Sequence, residues 1–466
     1  MKMKMKEMKT KKIQWLILIA VMILTSCRVT EKYKRPAGIA NNAMFRDVTT
    51  TDTTTIADVS WKQMFTDTLL QKLIQEGINN NLDIKIAMIR IKEAQANVQL
   101  GKSALYPSLN VHATYTDQKT ANSVLSESKY YQLYGSSSWE ADVWGKLNSA
   151  KRAALVSLQQ SEAFKRAVQT QLVSDIVTNY YSLLAYDAQL QLTMKTVGFR
   201  IEDVATMKRL KESDVVTGAA VVESEANRYS VEVTIPDLKQ NIRTTENTLS
   251  VLLGRTPGVI IRDSLNEQQV RTDLQTGIAA QLLSHRPDVQ EAEYQLRYNF
   301  ELTNIAKSYF YPSLTITAQG GFSNLSLSKL FNATSLFGNI IGGLTQPIFN
   351  QGINKQRLTV SKAQQEESLA AFQKTLLNAG LEVSNALYSY QTATDKITSR
   401  TLQIGFLGKA VDYTKELVKY TPTVNYTDVL TAEESLLAAQ LNSINDKVQQ
   451  LEAIVSLYRS LGGGWK

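Results

Sequence analysis

The chain is written twice, and any fold it adopts has to hold two copies of one unit. Ala104-Leu105-Tyr106-Pro107-Ser108-Leu109 is matched by Tyr309-Phe310-Tyr311-Pro312-Ser313-Leu314, with the Tyr-Pro-Ser-Leu cores 205 residues apart. Downstream, Val177-Thr178-Asn179 returns as Val383-Ser384-Asn385 at an offset of 206. Val216 and Glu225 return as Val424 and Glu433 at an offset of 208. So steady an offset marks a duplicated unit rather than a recurring tetrapeptide. The copies occupy residues 61–260 and 261–466.

Each copy holds a pair of alternating segments, at about residues 107–143 and 312–349. After Pro107 one face reads Leu109, Val111, Ala113, Tyr115 and the other Ser108, Asn110, His112, Thr114, Thr116. The returning segment sets Tyr131, Leu133, Trp139, Ala141 and Val143 against Gln132, Ser136, Ser138, Glu140 and Asp142. After Pro312 the faces are Leu314, Ile316, Ala318, Phe322 and Ser313, Thr315, Thr317, Gln319. The fourth segment, about Ser335–Phe349, is Gly-rich and alternates less cleanly. Runs of about ten residues with one apolar and one polar face suit strands with lipid outside and water inside, and equally the edge of a soluble sandwich. Their number is the sharper constraint. The smallest membrane barrels have about eight strands, and open edges are forbidden in hydrocarbon. Four strands in a membrane would therefore require several chains to share one barrel.

Between the strand pairs lie long helical patterns. No proline interrupts Lys146 to about Lys211, and from Ile353 the next proline is Pro422. Some 65 residues of helix span roughly 100 Å. In the second stretch Leu369, Phe372, Leu376, Ala379, Val383, Ala386 and Tyr390 follow alternating spacings of 3 and 4, a coiled-coil seam. Return helices are expected at about Ala219–Leu253, kinked at Pro236, and at Thr427–Leu461. With only 8 Pro and 22 Gly in 466 residues, long uninterrupted helices are favoured.

The amino terminus carries an address. Six lysines against Glu7 give residues 1–26 a net +5 of the chain's +8, so the remainder is close to neutral and does not read as a nucleic-acid binder. The apolar run Ile13–Leu24 is too short for a permanent span. It ends in Leu24-Thr25-Ser26-Cys27, which resembles the lipobox of bacterial lipoproteins, where the cysteine is acylated and becomes the first mature residue. An ordinary secretory signal with a chance cysteine is the plainer reading. Residues 27–60, with Pro36 and a Thr-rich run at 49–55, read as an extended tether.

Catalysis finds no frame here. One cysteine excludes a disulfide scaffold, and two distant histidines, His112 and His285, do not make a zinc site. No Ser/His/Asp set, phosphate loop or framed carboxylate pair appears, so neither an enzyme nor a cofactor or metal is expected.

Several ordered motifs carry a more specific resemblance. His285-Arg286-Pro287-Asp288-Val289 with Ala292-Glu293, and Leu461-Gly462-Gly463-Gly464-Trp465, are the most distinctive. Trp139–Gly145, Leu253-Gly254-Arg255-Thr256-Pro257 and Asn425–Ala432 support them. Together these resemble the outer-membrane efflux protein family, the TolC-like channels, and its lipoprotein branch serving resistance–nodulation–division (RND) pumps. The resemblance implies a mainly α chain with a membrane β part. It implies a homotrimer with four strands per subunit in a twelve-stranded barrel, continued by a coiled-coil helical barrel in the periplasm. It implies a lipid on Cys27 and, as partners, a periplasmic adaptor and an inner-membrane transporter.

The resemblance also points to positions. Asp428, with Tyr426 and Thr431, falls at the periplasmic aperture, where three copies of the acid would form a cation-attracting ring. A helix-start acid is an equal reading of Asp428. The adaptor-facing turns would be Asp214, Val216, Thr217 and Gly218 in one copy and Pro422, Thr423, Val424 and Asn425 in the other. Many relatives have a glycine in these turns; here Asp214 can adopt a left-handed conformation and Pro422 can stop a helix. Arg286, Pro287, Asp288 and the glycines Gly462, Gly463 and Gly464 read as structural, with Pro287 and Asp288 suited to a first helical turn. Trp139 and Trp144 are expected near the barrel rim. A type I polypeptide-secretion duct and a coiled-coil tethering lipoprotein are the other readings.

Overall fold

The structure is a computed structural model that describes residues 29–38, 46, 53–120, 126–269, 274–277, 281–418, 420–421 and 425–465. The leader, Cys27 and the turn residues Pro422, Thr423 and Val424 lie outside the described residues. The helices are α1 (Trp61–Met64), α2 (Thr68–Asn80), α3 (Leu82–Ser103), α4 (Lys146–Glu212), α5 (Gly218–Glu232), α6 (Thr234–Leu252), α7 (Leu282–His285), α8 (Pro287–Ser308), α9 (Ile353–Leu417) and α10 (Tyr426–Ser460). The strands are β1 (Ser108–Thr120), β2 (Ser126–Ala141), β3 (Ser313–Asn324) and β4 (Leu336–Thr345). Two compact units cut across the sequence repeats: one takes Met1–Ala37, Arg90–Glu162 and Glu291–Gln373, the other Gly38–Ile89, Ala163–Gln290 and Lys374–Lys466.

The first unit is organised on one antiparallel sheet of order β1-β2-β3-β4. Its register places Leu109, Ser137, Ala318 and Ile340 in one row and Val111, Gly135, Gly320 and Gly338 in the next, so most apolar residues of the four strands share a face, with Phe337 and Ile341 of β4 on the other. That face is uncovered: Leu109 and Ile340 are each 79% exposed. The opposite face is almost all hydroxyl and amide, and Glu140, paired with Lys146 at 2.6 Å, is its one charged residue among the described side chains. An aromatic row also crosses it, His112 stacked on Tyr134 at 4.9 Å and Tyr134 against Phe337 at 6.0 Å. The fourth strand ends at Thr345 rather than near Phe349, because Pro347 cannot donate to a ladder and constrains Gln346 before it. Trp139 donates from Nε1 to the Leu105 carbonyl and Trp144 to that of Pro312, so both indoles are tied at the helix-proximal end of the sheet.

The amino-terminal segment is more than a loose tether. Asn304 of α8 exchanges a pair of hydrogen bonds with the backbone of Glu31, through Oδ1 at 3.2 Å and Nδ2 at 3.0 Å. Arg35 grips Glu293 with two bonds of 2.7 Å, and Tyr33 packs edge-on against Phe300. The composition of residues 27–60 describes a segment unable to fold alone; at Glu31, Tyr33 and Arg35, α8 supplies a surface that holds it.

Along α9, whose residues are divided between the two units at Gln373, the coiled-coil seam is buried. Phe372, Leu376, Ala379, Val383 and Ala386 of α9 are in the core, while Leu369 and Tyr390 at the ends of the heptad run are half-buried. The first return helix breaks at Val233, not at Pro236, which lies in the first turn of α6. Proline lacks the N–H that would bond the carbonyl four residues back, so the break falls one turn before the ring.

The duplication is most visible where return helices end. Gly254 and Gly462, 208 apart, both take left-handed φ values, 70° and 95°. Gly254 N–H bonds Val251 O and Arg255 N–H bonds Ser250 O; Gly462 N–H bonds Arg459 O and Gly463 N–H bonds Tyr458 O, two Schellman closures. A Cβ at Gly254 would lie 2.5 Å from Asn80 O, and one at Gly462 2.4 Å from His285 O, so neither joint admits a side chain. Beside them Asn81 Nδ2 donates to Leu252 O and Arg286 Nη1 to Ser460 O, both at 2.9 Å. Thus Arg286 and the glycine run meet in one helix-end joint. Arg286 also forks onto Asp288 at 3.0 and 2.6 Å and reaches Glu382 at 2.9 Å. Pro287 opens α8, and Trp465 donates to His285 O.

Candidate functional site

The sequence points to the two turns that join long helices to return helices. The first closes α4 without glycine. Asp214 has φ 54°, its N–H bonds Lys211 O, and Val215 N–H bonds Leu210 O, so aspartate fills the left-handed place of a Schellman motif. Thr217 then caps α5, its hydroxyl accepting from Ala220 N–H at 3.3 Å. Gly218 is the first residue of α5, and Val216 is half-buried beside the turn.

The second turn leaves α9 through Tyr420 and Thr421 and re-enters helix at Asn425. Asn425 and Asp428 form a capping box: Asp428 N–H donates to Asn425 Oδ1 at 3.1 Å, and Asn425 N–H donates to Asp428 Oδ2 at 2.9 Å. Asp428 therefore already holds a helix-starting task, and its side chain is exposed. Thr431 bonds back to Thr427 O and is exposed too.

Beneath this second turn sits a charge network. Arg200 of α4 is 2% exposed, the largest fully buried side chain of the described chain. Its Nη1 donates to Glu433 Oε2 at 2.6 Å and lies 3.8 Å from Asp203 Oδ2. Lys415 of α9 reaches the other oxygen of Glu433 at 2.5 Å. Burial, then the Glu433 charge, push the Asp203 carboxyl above the ordinary aspartate range. Burial, then the Asp203 charge, push the Tyr426 hydroxyl above the ordinary tyrosine range. Four charged groups and a phenol thus tie α4, α9 and α10 together directly under the capping box. Of these, only Tyr426 stands among the aperture positions the sequence indicates. Arg200, Asp203 and Lys415 are not singled out by the sequence; the one available signal is the i, i+3 spacing of Arg200 and Asp203.

The arrangement holds charge and closes helix ends; among the described residues no group of His, Cys, Asp and Glu has the form of a metal site. No described helix is long and apolar enough to cross a membrane. The membrane-competent surface is the sheet, with its uncovered apolar face and unpaired outer edges on β1 and β4.

Comparison with known proteins agrees with this layout. Residues 73–255 and 278–463 match the family model described as outer membrane efflux protein. The cation efflux system protein CusC of Escherichia coli O157:H7 is 27% identical over 457 residues, covering 96% of this chain and 97% of its own length. The probable outer membrane lipoprotein SilC of Salmonella typhimurium is 27% identical over 463 residues, covering 97% and 99%. A crystal structure of CusC superposes with a TM-score of 0.86 at 25% identity, over 94% of this chain and all of that one. One matched span falls within residues 61–260 and the other within 261–466, and the chain belongs to the outer membrane efflux protein family.

Proposed function

We propose that three copies of this chain close a twelve-stranded barrel in the outer membrane and continue as a helical tunnel into the periplasm. The duct is passive. It receives cargo from an RND-type inner-membrane transporter through a periplasmic adaptor and releases it outside. The observation that carries this reading is the four-stranded sheet, apolar and bare on one face, polar on the other and unpaired at both edges. Unpaired edges in hydrocarbon are untenable, and four strands are too few to close a barrel, so identical neighbours must supply the rest. The polar face would then line a lumen carrying little fixed charge, suited to conduction rather than to selection.

The remaining assignments follow from that frame. Cys27 carries the lipid anchor, and no resident metal or cofactor is required for a conduit that performs no catalysis. The turns at Asp214, Val216, Thr217 and Gly218, and at Pro422, Thr423, Val424 and Asn425, receive the adaptor. Three copies of Asp428, with Tyr426 and Thr431 beside them, line the aperture. Asp428 combines this with its capping role, since one carboxylate oxygen engages the Asn425 amide while the group stays exposed.

The test is single-channel conductance of the detergent-purified mature protein in a planar bilayer, after its oligomer has been sized. A stable trimer with small, discrete, cation-leaning conductance is expected. A monomer, or a silent bilayer, would return the chain to the tethering-lipoprotein reading. Asp428→Ala should weaken the cation preference; unchanged selectivity would remove Asp428 from the aperture while leaving the duct intact.

A further inference from the structure

The loop joining β3 to β4 is a built element with an apolar exterior. Two short 3-10 turns, Leu327–Lys329 and Ala333–Ser335, occupy most of it. Ser335, 3% exposed, is its hub: its hydroxyl donates to Lys329 O at 2.8 Å and accepts from Asn324 Nδ2 at 2.7 Å. Asn324 Oδ1 accepts from Ser326 N–H, and the N–H groups of Lys329, Leu330, Asn332 and Ser335 all bond within the loop. These bonds occupy five of the loop's eleven N–H groups, which lowers the cost of drawing part of it out of water while the rest keep contact with water or headgroups.

Its side chains face the opposite way from what water would favour. Leu325, Leu327 and Phe331 are 70%, 60% and 67% exposed. Phe331 packs edge-on against Phe322 at 5.6 Å, and Phe322 pairs with Leu336 on the apolar face of the sheet. The loop's apolar surface therefore continues the sheet's.

Strand lengths say why the continuation matters. From Leu314 to Phe322 the apolar face of β3 covers about 27 Å along the strand, or roughly 21 Å along the membrane normal at the usual barrel tilt, short of the ~25 Å apolar band of such barrels. In the first hairpin, Tyr115 and Tyr131, rings 5.0 Å apart, occupy the upper end of that face. The residue level with Tyr131 on β3 is Asn324, which is turned to the loop's internal bonding.

We propose that residues 325–335 are seated in the outer leaflet of the membrane, with Leu325, Leu327 and Phe331 among the upper acyl chains and the exposed Lys329 at the headgroup level. The loop completes the lipid-facing band on the hairpin whose strands stop short of it. A lysine beside apolar anchors is the composition of an interfacial segment, its stem in the apolar layer and its charge at the phosphates.

The proposal rests on the barrel reading, and one experiment separates the two. Spin labels are placed singly by Leu327→Cys, Phe331→Cys and, on the lipid face of β4, Ile340→Cys; the chain without an added cysteine serves as the blank. In liposomes, collisional accessibility to oxygen, which partitions into lipid, is compared with that to a water-soluble nickel chelate. All three sites should give an oxygen-favoured ratio severalfold above that of a label in water, highest at the deeper Ile340→Cys. Nickel-favoured loop sites with an oxygen-favoured Ile340→Cys would overturn the proposal and leave the barrel standing. Nickel-favoured values at all three would remove the barrel as well. Spin–spin broadening at the loop sites would assign the patch to a second copy of the chain instead of lipid, and would also overturn it.

Discussion

The two long-helix turns share a skeleton and differ in what is buried beneath it. Thr217 and Asn425, 208 residues apart, cap equivalent helices, accepting from Ala220 N–H and Asp428 N–H. Lys208 pairs with Glu225 at 2.7 Å in the first copy, and Lys415 with Glu433 at 2.5 Å in the second. What both copies retain is what any such turn needs, a cap and a cross-helix ion pair. Around the acid of the second turn alone gather Tyr426 and, from α4 of the first copy, Arg200 and Asp203. A duplicated chain thus supplies its own control: features common to both turns are architecture, and those confined to one are where a specialised role is to be sought.

The sharpest way to break this comparison is to remove the cation beneath the second turn. Arg200→Met leaves Glu433 and Asp203 facing Lys415 alone, and breaking a buried pair costs about 3–5 kcal/mol. The matching Lys208→Met in the exposed first turn should cost at most ~1 kcal/mol. Hydrogen exchange read separately over 205–225 and 410–435 measures both, and equal effects would dissolve the distinction. Next in size are the caps. Thr217→Ala and Asn425→Ala should each cost about 0.5–2 kcal/mol by thermal unfolding, and a clear inequality would show that the capping box adds to the shared cap.

A smaller effect of opposite sign is expected at Asp203. Its folded-state pKa is raised, so its charged form weakens folding as pH rises through that value. Asp203→Asn should therefore raise the thermal midpoint at neutral pH, and the gain should fade as pH drops towards about 3.9, the ordinary aspartate value. A gain that grew on acidification would reverse the assignment. Smallest is Asp214→Gly, which relieves a left-handed aspartate but loosens the unfolded chain, terms of about 1 kcal/mol each that nearly cancel. Asp214→Val, by contrast, has no such relief and should be measurably destabilised.

Much of this fold is legible in the residues, and the exceptions have physical reasons. Strand starts at Ser108 and Ser313 are announced by proline followed by strict alternation. The end of β4 is not, because Ile348 and Phe349 continue the apolar content beyond a proline that ends the pairing. The left-handed place at Asp214 is readable from residue type alone. At Asp428 the residue suits a helix start, the role its capping box fills, whereas the aperture role comes from the family resemblance alone. Arg200 was hidden for a different reason. On a long helix a charge reads as solvated, and its partner Glu433 is 233 residues away. The paired helix-end joints were hidden by chemistry: Asn81 and Arg286 make equivalent contacts with unlike side chains.

The docking of the amino-terminal segment has a consequence in time. Its partners on α8, Glu293 and Asn304, lie 258 and 273 residues further along the chain than Arg35 and Glu31. At ordinary synthesis rates of about 5–20 residues per second, that separation amounts to roughly 13–55 s. The head of the chain is the first part made and among the last to be placed. Docking then records that the rest of the first unit has formed.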